Sequence, residues 1–585
     1  MTYKAPVEDM AFILKDVFDV QKEFEGIEQF QDFDYELYSA VLEEGAKFAE
    51  NVLYPLNRDG DEEGCHHEGN EVTTPKGFKE AYAQFCEGGW QGINGDPEFG
   101  GQGLPKSLHV LVEEMLYASN TSFTLYPSLT AGACAALAAH GSVELKKTYL
   151  ENMQSGVWSG SMCLTEPHSG SDLGILKTKA EPAEDGTFKI SGTKIFITGG
   201  EHDLADNIIH LVLARLPDAP AGPRGISLFL VPKFHVKNDG SVGDRNTVFC
   251  GSIEHKMGIK ASSTCVMNFE EATGYLIGEP HRGLACMFTM MNKERLSIAL
   301  QGVGLADVSY QTARQYAEER IQGRSSREGK KGASIIEHAD VRRMLLSMRS
   351  VTEICRALGV YLGMQIDLNE HSKDAAIKAK AGKRVALLTP IAKAFFTDTG
   401  FENCNHGIQV LGGHGYVREW GLEQFARDAR IAQIYEGTNG IQAQDLMIRK
   451  VCADNGEAID EMFAEIRETI AQGKSGEYAQ LSSELEQELA KVDALTKELM
   501  EQNKTDGAAA QGGAVEYLNA VAYVIGGWLW MKQLLASEVL TQEQVARKRV
   551  AAEFYFAHLM PKVDAYVRSI KNGYKATFEL EDALI

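Results

Sequence analysis

The sequence has no Cys-x-x-Cys pair, and its 10 cysteines are dispersed along 585 residues. Neither a zinc site nor a disulfide framework is signalled, and reduced thiols are expected. Positive charge is also scarce. With 58 Lys and Arg against 82 Asp and Glu, the formal net charge is −24. That balance argues against nucleic acid or an anionic membrane as partner, because phosphate-rich surfaces attract basic ones. The longest apolar run, Ala520 to Met531, falls short of the roughly 20 residues that span a bilayer. Met1 to Asp9 has neither the basic start nor the apolar core of a secretory signal, so a cytoplasmic location is expected. The Gly-x-Gly-x-x-Gly fingerprint of a Rossmann nucleotide site is missing too: Gly302-Val303-Gly304 leads to Asp307 where the third glycine belongs.

What remains is an ordinary globular composition, 44% hydrophobic and 24% charged, in a chain too long for one core. The periodicity changes along it. Residues 1–158 read as an α-helical domain, with apolar side chains three and four apart (Leu37, Val41, Leu42). Its glycine-rich stretch from Gly88 to Gly103 reads as a pair of turns, and the small-residue helix Leu129 to Gly141 reads as a close-packing element. Over 159–278 short β-branched runs alternate with turn signals and no long helix intervenes. An antiparallel β-domain follows from that pattern rather than a parallel Rossmann sheet. Residues 279–454 return to long helices, a helix bundle interrupted by a basic, glycine-rich connector from Gln322 to Gly332. Residues 455–585 form an extra helical domain, where Leu481, Leu485, Leu489, Val492, Leu495 and Leu499 make one apolar face before a hinge at Gln502 to Gly513. This extension is expected to pack on the core or on a second subunit.

The stretch Arg430-Ile431-Ala432-Gln433-Ile434-Tyr435-Glu436-Gly437-Thr438-Asn439-Gly440-Ile441-Gln442 places a carboxylate at a break between two helices. Gly437 and Gly440 allow close backbone approach or positive φ. A carboxylate among apolar side chains has its pKa raised toward that of a general base. On local pattern alone the same residues read as a helix ended by a glycine cap. The wider sequence reverses that reading. Tyr-Glu-Gly-Thr, preceded by Arg427-Asp428-Ala429-Arg430-Ile431, resembles the catalytic segment of the acyl-CoA dehydrogenases, and further motifs extend the resemblance over about 10–450.

Thr165-Glu166-Pro167-His168-Ser169-Gly170-Ser171-Asp172 is a strand end running into a turn, and it resembles the flavin loop of that family. The resemblance implies FAD as cofactor, with Met162, Leu164 and Thr165 by the isoalloxazine and Gly170 and Ser171 by the diphosphate. Lys194-Ile195-Phe196-Ile197-Thr198 is similar to the second flavin strand. It implies that Phe196, where many relatives carry Trp, stacks on the ring and that Thr198 bonds its polar edge. Arg320, Gln409, Gly412 and Gly413 match segments that reach the neighbouring subunit's FAD, which implies a homo-oligomer, expected to be a dimer; Thr438 adds a hydroxyl. Ser171, Asn292, Arg295, Tyr435 and Gly437 are implied on the acyl-CoA side.

Some branches of the family carry the base at the position of Glu294. Here both positions are glutamate; Glu436 is favoured, and Glu294 is expected to be a surface or salt-bridged residue. No metal is implied. The family chemistry is removal of an α-proton by Glu436 and hydride transfer from the β-carbon to flavin N5, giving trans-2-enoyl-CoA, with an electron-transferring flavoprotein as acceptor. Length and termini resemble a large bacterial branch with a C-terminal helical extension. That likeness implies a short substrate such as 3-methylthiopropanoyl-CoA; a long-chain acyl-CoA, or an oxidase using oxygen, is the alternative.

Overall fold

The computed structural model describes residues 2–325, 329, 331–578 and 580–585. Of the connector from Gln322 to Gly332, Ser326, Arg327, Glu328 and Lys330 lie outside the described residues. The chain divides into two compact units. One comprises Phe48–Leu104 and Ser119–Ser297, the other Met1–Lys47, Pro105–Ala118 and Ile298–Ile585.

The first unit holds every strand named here. A small hairpin, β1 (His66–Glu68) and β2 (Glu71–Thr73), interrupts the otherwise helical N-terminal part. The main sheet uses β3 (Trp158–Cys163), β4 (Lys179–Pro182), β5 (Phe188–Thr198), β6 (Asn207–Arg215) and β7 (Ile226–Pro232). After the short pair β8 (Phe234–Val236) and β9 (Val242–Arg245), it is completed by β10 (Val248–Ile253) and β11 (Thr264–Ile277). Strand order is β10-β11-β5-β4-β6-β3, and β7 pairs with both β11 and β6. Five strands, β11, β5, β4, β6 and β7, therefore close on themselves, and β10 and β3 remain as edges. Most pairings are antiparallel, as the alternating runs predict, but β3 and β4 pair parallel to β6.

Closure explains why β6 is buried along its length up to Ala214. Val212 and Ala214 join the interior with Ile190, Phe229, Val231 and Phe269. Ile209, Leu211 and Leu213 face the other way, onto Leu129, Ala133, Ala136, Met287 and Met290 from helices. The small residues expected to permit close packing do so: a Cβ on Gly160 of β3 would sit 2.6 Å from the Ala133 Cβ. The Gly88–Gly103 stretch forms two 3-10 turns, Trp90–Gly92 and Pro97–Phe99.

The second unit is helical. The long helices Ala339–His371 and Ala375–Leu411 pack together, and the extension adds Glu457–Gly473, Ala479–Asn503, Ala514–Leu535, Gln542–Phe554 and Lys562–Phe578. Ala514–Leu535 is buried on nearly every side, so its apolar run is a core helix. Among the described residues no helix is long and apolar enough to cross a membrane. The stretch expected as a hinge is mostly ordered helix instead: Ala479–Asn503 runs into it, and Asp506 caps a short helix, Gly507–Gly512, through the Ala508 N–H.

The extension docks on the bundle through buried charge. Lys548 donates to Asp9, to Glu353 (2.8 Å) and to Gln533 (2.8 Å), while Arg356 donates to Asp9 (2.8 Å) and Glu114 (2.7 Å). Burial opposes the Asp9 charge, but Lys548 and Arg356 hold its pKa down to about 2. Each cation thus has the partners that a buried charge requires.

Candidate active site

Within the β-domain, β5 carries an extra residue opposite β11. Lys194 pairs with Met267 and Ile197 with Cys265, so three steps on one strand match two on the other. Such a bulge re-aims a side chain. Phe196 lies in it with φ +59°, a left-handed conformation costly for an aromatic residue, and is 59% exposed, whereas Lys194 and Ile197 on either side are buried.

The adjoining turn is pinned to the same strand. The Ile195 N–H donates to the Thr165 carbonyl (2.9 Å), and the Lys194 ammonium donates to the Leu164 carbonyl (2.9 Å) and the Glu166 carboxylate (2.9 Å). Glu166 also accepts from the Lys177 N–H (2.7 Å), the Thr178 N–H (3.0 Å) and the Thr178 hydroxyl (2.6 Å). Burial disfavours its charge, yet Lys194 and these donors bring its pKa to about 2. Burial in turn lowers the Lys194 ammonium, with Glu166 acting against it. Beyond the pinned residues Gly170 and Ser171 are exposed, Asp172 caps Gly174 (2.8 Å), and Met162, Thr165 and Thr198 are half-buried. An outward-facing aromatic ring, two hydroxyls and a solvent-facing Gly-Ser turn fit a planar heteroaromatic group with a charged tail.

In the helical unit, a 3-10 turn, Ile431–Gln433, ends in two consecutive left-handed residues, Glu436 (φ +57°) and Gly437 (φ +86°). Thr438 then caps the helix Asn439–Gln444, its hydroxyl accepting from the Ile441 N–H. Glu436 is half-buried. The Tyr435 hydroxyl donates to Gln301 Oε1 (2.5 Å). Gln442 Nε2 donates to the carbonyls of Glu436 (3.1 Å) and Gly437 (3.3 Å), and Lys393 Nζ to the Gly437 carbonyl (2.7 Å) and Asn439 Oδ1 (2.8 Å). Glycine at 437 suits φ +86°, and a Cβ there would meet Gln442 Nε2 at 2.7 Å and displace the amide that bonds the turn.

The remaining predicted residues are placed as follows. Arg320 and Gln409 are exposed, and nothing lies within 4 Å of a Cβ built on Gly412 (φ +60°) or Gly413. Arg295 donates to Asn292 Oδ1 (3.3 Å), with Asn292 exposed. Glu294 is not a surface residue. It is 2% exposed and accepts from the Ser128 hydroxyl (3.0 Å), which also contacts the Ser297 hydroxyl (2.7 Å).

Four residues that fasten these turns were assigned no role by sequence reasoning: Glu166, Lys194, Lys393 and Gln442. Lys393 carried a signal, since it stands between Ala392 and Ala394 in an apolar stretch of helix.

The chain matches the acyl-CoA dehydrogenase N-terminal domain over 36–157, the middle domain over 161–272 and the C-terminal domain over 281–450, and an acetyl-CoA dehydrogenase C-terminal-like domain over 462–581. It is 42% identical over 541 residues to 3-methylmercaptopropionyl-CoA dehydrogenase of Ruegeria pomeroyi, covering 92% of each chain. It is 34% identical to a butyryl-CoA dehydrogenase of Syntrophomonas wolfei, covering 97% of each. An acyl-CoA dehydrogenase from Bacillus anthracis, solved with FAD, shares the fold with a TM-score of 0.75 at 22% identity, over 95% of this chain and 91% of that one. The protein belongs to the acyl-CoA dehydrogenase family, in a large branch with an extra C-terminal domain.

Proposed function

We propose that the protein dehydrogenates an acyl-CoA thioester between Cα and Cβ, with FAD as cofactor and a trans-2-enoyl-CoA as product. FAD, when bound, supplies the acceptor for the β-hydride. Phe196, Met162, Leu164, Thr165 and Thr198 hold its ring, and Gly170 and Ser171 its diphosphate. In a homodimer Arg320, Gln409, Gly412 and Gly413 serve the partner's cofactor, and Thr438 adds a hydroxyl. Glu436 removes the α-proton and keeps it on its carboxyl group. Its backbone N–H donates to the thioester oxygen as negative charge develops there. Tyr435 and Gly437 flank the acyl group, with Ser171, Asn292 and Arg295 toward the CoA portion. The two electrons taken from each substrate must leave before the next turnover, and an electron-transferring flavoprotein is the proposed acceptor.

One observation carries this reading: the motif glutamate sits at φ +57°, and the carbonyls of Glu436 and Gly437 are bonded by side chains, Gln442 and Lys393, that are themselves fully buried. For the acyl group we propose a short, sulfur-containing or simple chain. The relatives at 42% and 34% identity support this, being named for 3-methylmercaptopropionyl-CoA and butyryl-CoA. The test is anaerobic mixing of the FAD-loaded protein with 3-methylthiopropanoyl-, butyryl- and palmitoyl-CoA. Rapid bleaching of the flavin by the first two and slow bleaching by the third is expected. Preference for palmitoyl-CoA would overturn the chain-length reading, and no bleaching by any acyl-CoA would overturn the activity.

A further inference from the structure

The turn that carries Glu436 has a support built from side chains that no motif assigns. Both left-handed residues point their carbonyls at buried donors. Lys393, fully buried on the helix Ala375–Leu411, reaches the Gly437 carbonyl and Asn439 Oδ1. Gln442, equally buried one turn into the next helix, spans the carbonyls of Glu436 and Gly437. Asn439 closes the arrangement by donating to the carbonyl of Ala394 (3.2 Å), next to Lys393, and to the Thr397 hydroxyl (2.9 Å) and Asp398 (2.7 Å), about one turn further along the same helix.

A left-handed conformation costs a non-glycine residue about 1–2 kcal/mol, so residue 436 would relax toward ordinary backbone angles without external hold. Relaxation would swing its side chain and its N–H together. A helix needs no buried lysine, and burying an ammonium is costly unless hydrogen bonds satisfy it. Here those bonds go to the carbonyl that follows Glu436 and to the side chain two residues further on.

We infer that Lys393 and Gln442 are positioning residues for the catalytic base: together they fix the Glu436–Gly437 turn, and so the direction of the Glu436 carboxylate. This rests on the proposed role of Glu436, and the test separates the two. Lys393→Met and Gln442→Leu are prepared with FAD. Each is expected to lower kcat for butyryl-CoA by about 10²-fold, the effect of a small misplacement of a reacting group. KM and flavin content stay near those of the parent, and amide exchange across 431–442 speeds up. In a Glu436→Gln background neither substitution lowers the residual rate further. If Lys393→Met does not fold, Gln442→Leu carries the test. Unchanged kcat with unchanged exchange in a folded variant overturns the inference, as does an equal fold-loss in the Glu436→Gln background. If Glu436→Gln itself keeps full turnover, the base assignment falls. The exchange rates then still decide the clamp: faster exchange supports it and unchanged exchange overturns it.

Discussion

Two turns, one in each unit, use the same backbone device with different fastenings. Phe196 and Glu436 both adopt left-handed angles, +59° and +57°, and each stands in a motif the family resemblance picks out. The flavin turn is fastened by an ion pair, Glu166 with Lys194, while the turn of the base is fastened by a lysine and two amide side chains acting on carbonyls and on one another. A carboxylate takes part in both fastenings, but at the Glu436 turn it is one step removed: Asp398 accepts from the Asn439 amide (2.7 Å), while the turn carbonyls accept from Gln442 and Lys393. In the flavin turn the carboxylate itself, Glu166, is the centre of four hydrogen bonds. That fastening is acid-sensitive, because Glu166 must stay ionised to hold Lys194.

The comparison can be broken most directly at its ion pair. Lys194→Met leaves Glu166 buried beside apolar atoms, and removing one partner of a buried pair costs about 3–5 kcal/mol. Chemical unfolding should show a loss of that order together with loss of bound FAD. A milder probe is pH. The folded Glu166 has a pKa of about 2 against an ordinary 4.5. Its contribution is therefore fully present above the ordinary value and disappears as pH falls toward 2. Thermal unfolding of the parent should show this acid loss, and Glu166→Gln should flatten it while being less stable near neutrality. The smallest effect is expected at the bulge. Phe196→Gly relieves about 1–2 kcal/mol of backbone strain and returns about 0.5–1 kcal/mol as unfolded-chain entropy. The apoprotein should thus melt at nearly the parent temperature while FAD titration shows weakened binding. A marked loss of apoprotein stability would mean that Phe196 is a packing residue.

Much of this was legible in residue order. Alternation over 159–278 announced the β-domain, and the long apolar periodicity of Ala339–His371 and Ala479–Asn503 announced the helices. The short strands β4, β8, β9 and β10 were missed because each is brief and interrupted by a residue such as Lys, His or Gly, and because each owes its existence to a partner distant in pattern: β4 to β5, β10 to β11, and β8 and β9 to each other. Parallel pairing of β3 with β6 was hidden too, since a fully buried strand reads alike in either direction. The positions proposed to react were visible as motifs, but their supports were not. Lys393 acts across 44 residues and Lys194 across 28, distances over which spacing carries no information. Of the two expectations for Glu294, the surface one fails, because Ser128, far away in sequence, supplies a buried partner.

The assignment of the base is tested most directly by single-turnover flavin reduction with butyryl-CoA in Glu436→Gln and, separately, Glu294→Gln, each loaded with FAD. The account predicts a loss of about 10²–10⁴-fold for Glu436→Gln, the range for removing a general base, with acyl-CoA still bound, and a rate of the parent's order for Glu294→Gln. The opposite pattern, fast reduction without Glu436 and none without Glu294, would contradict it.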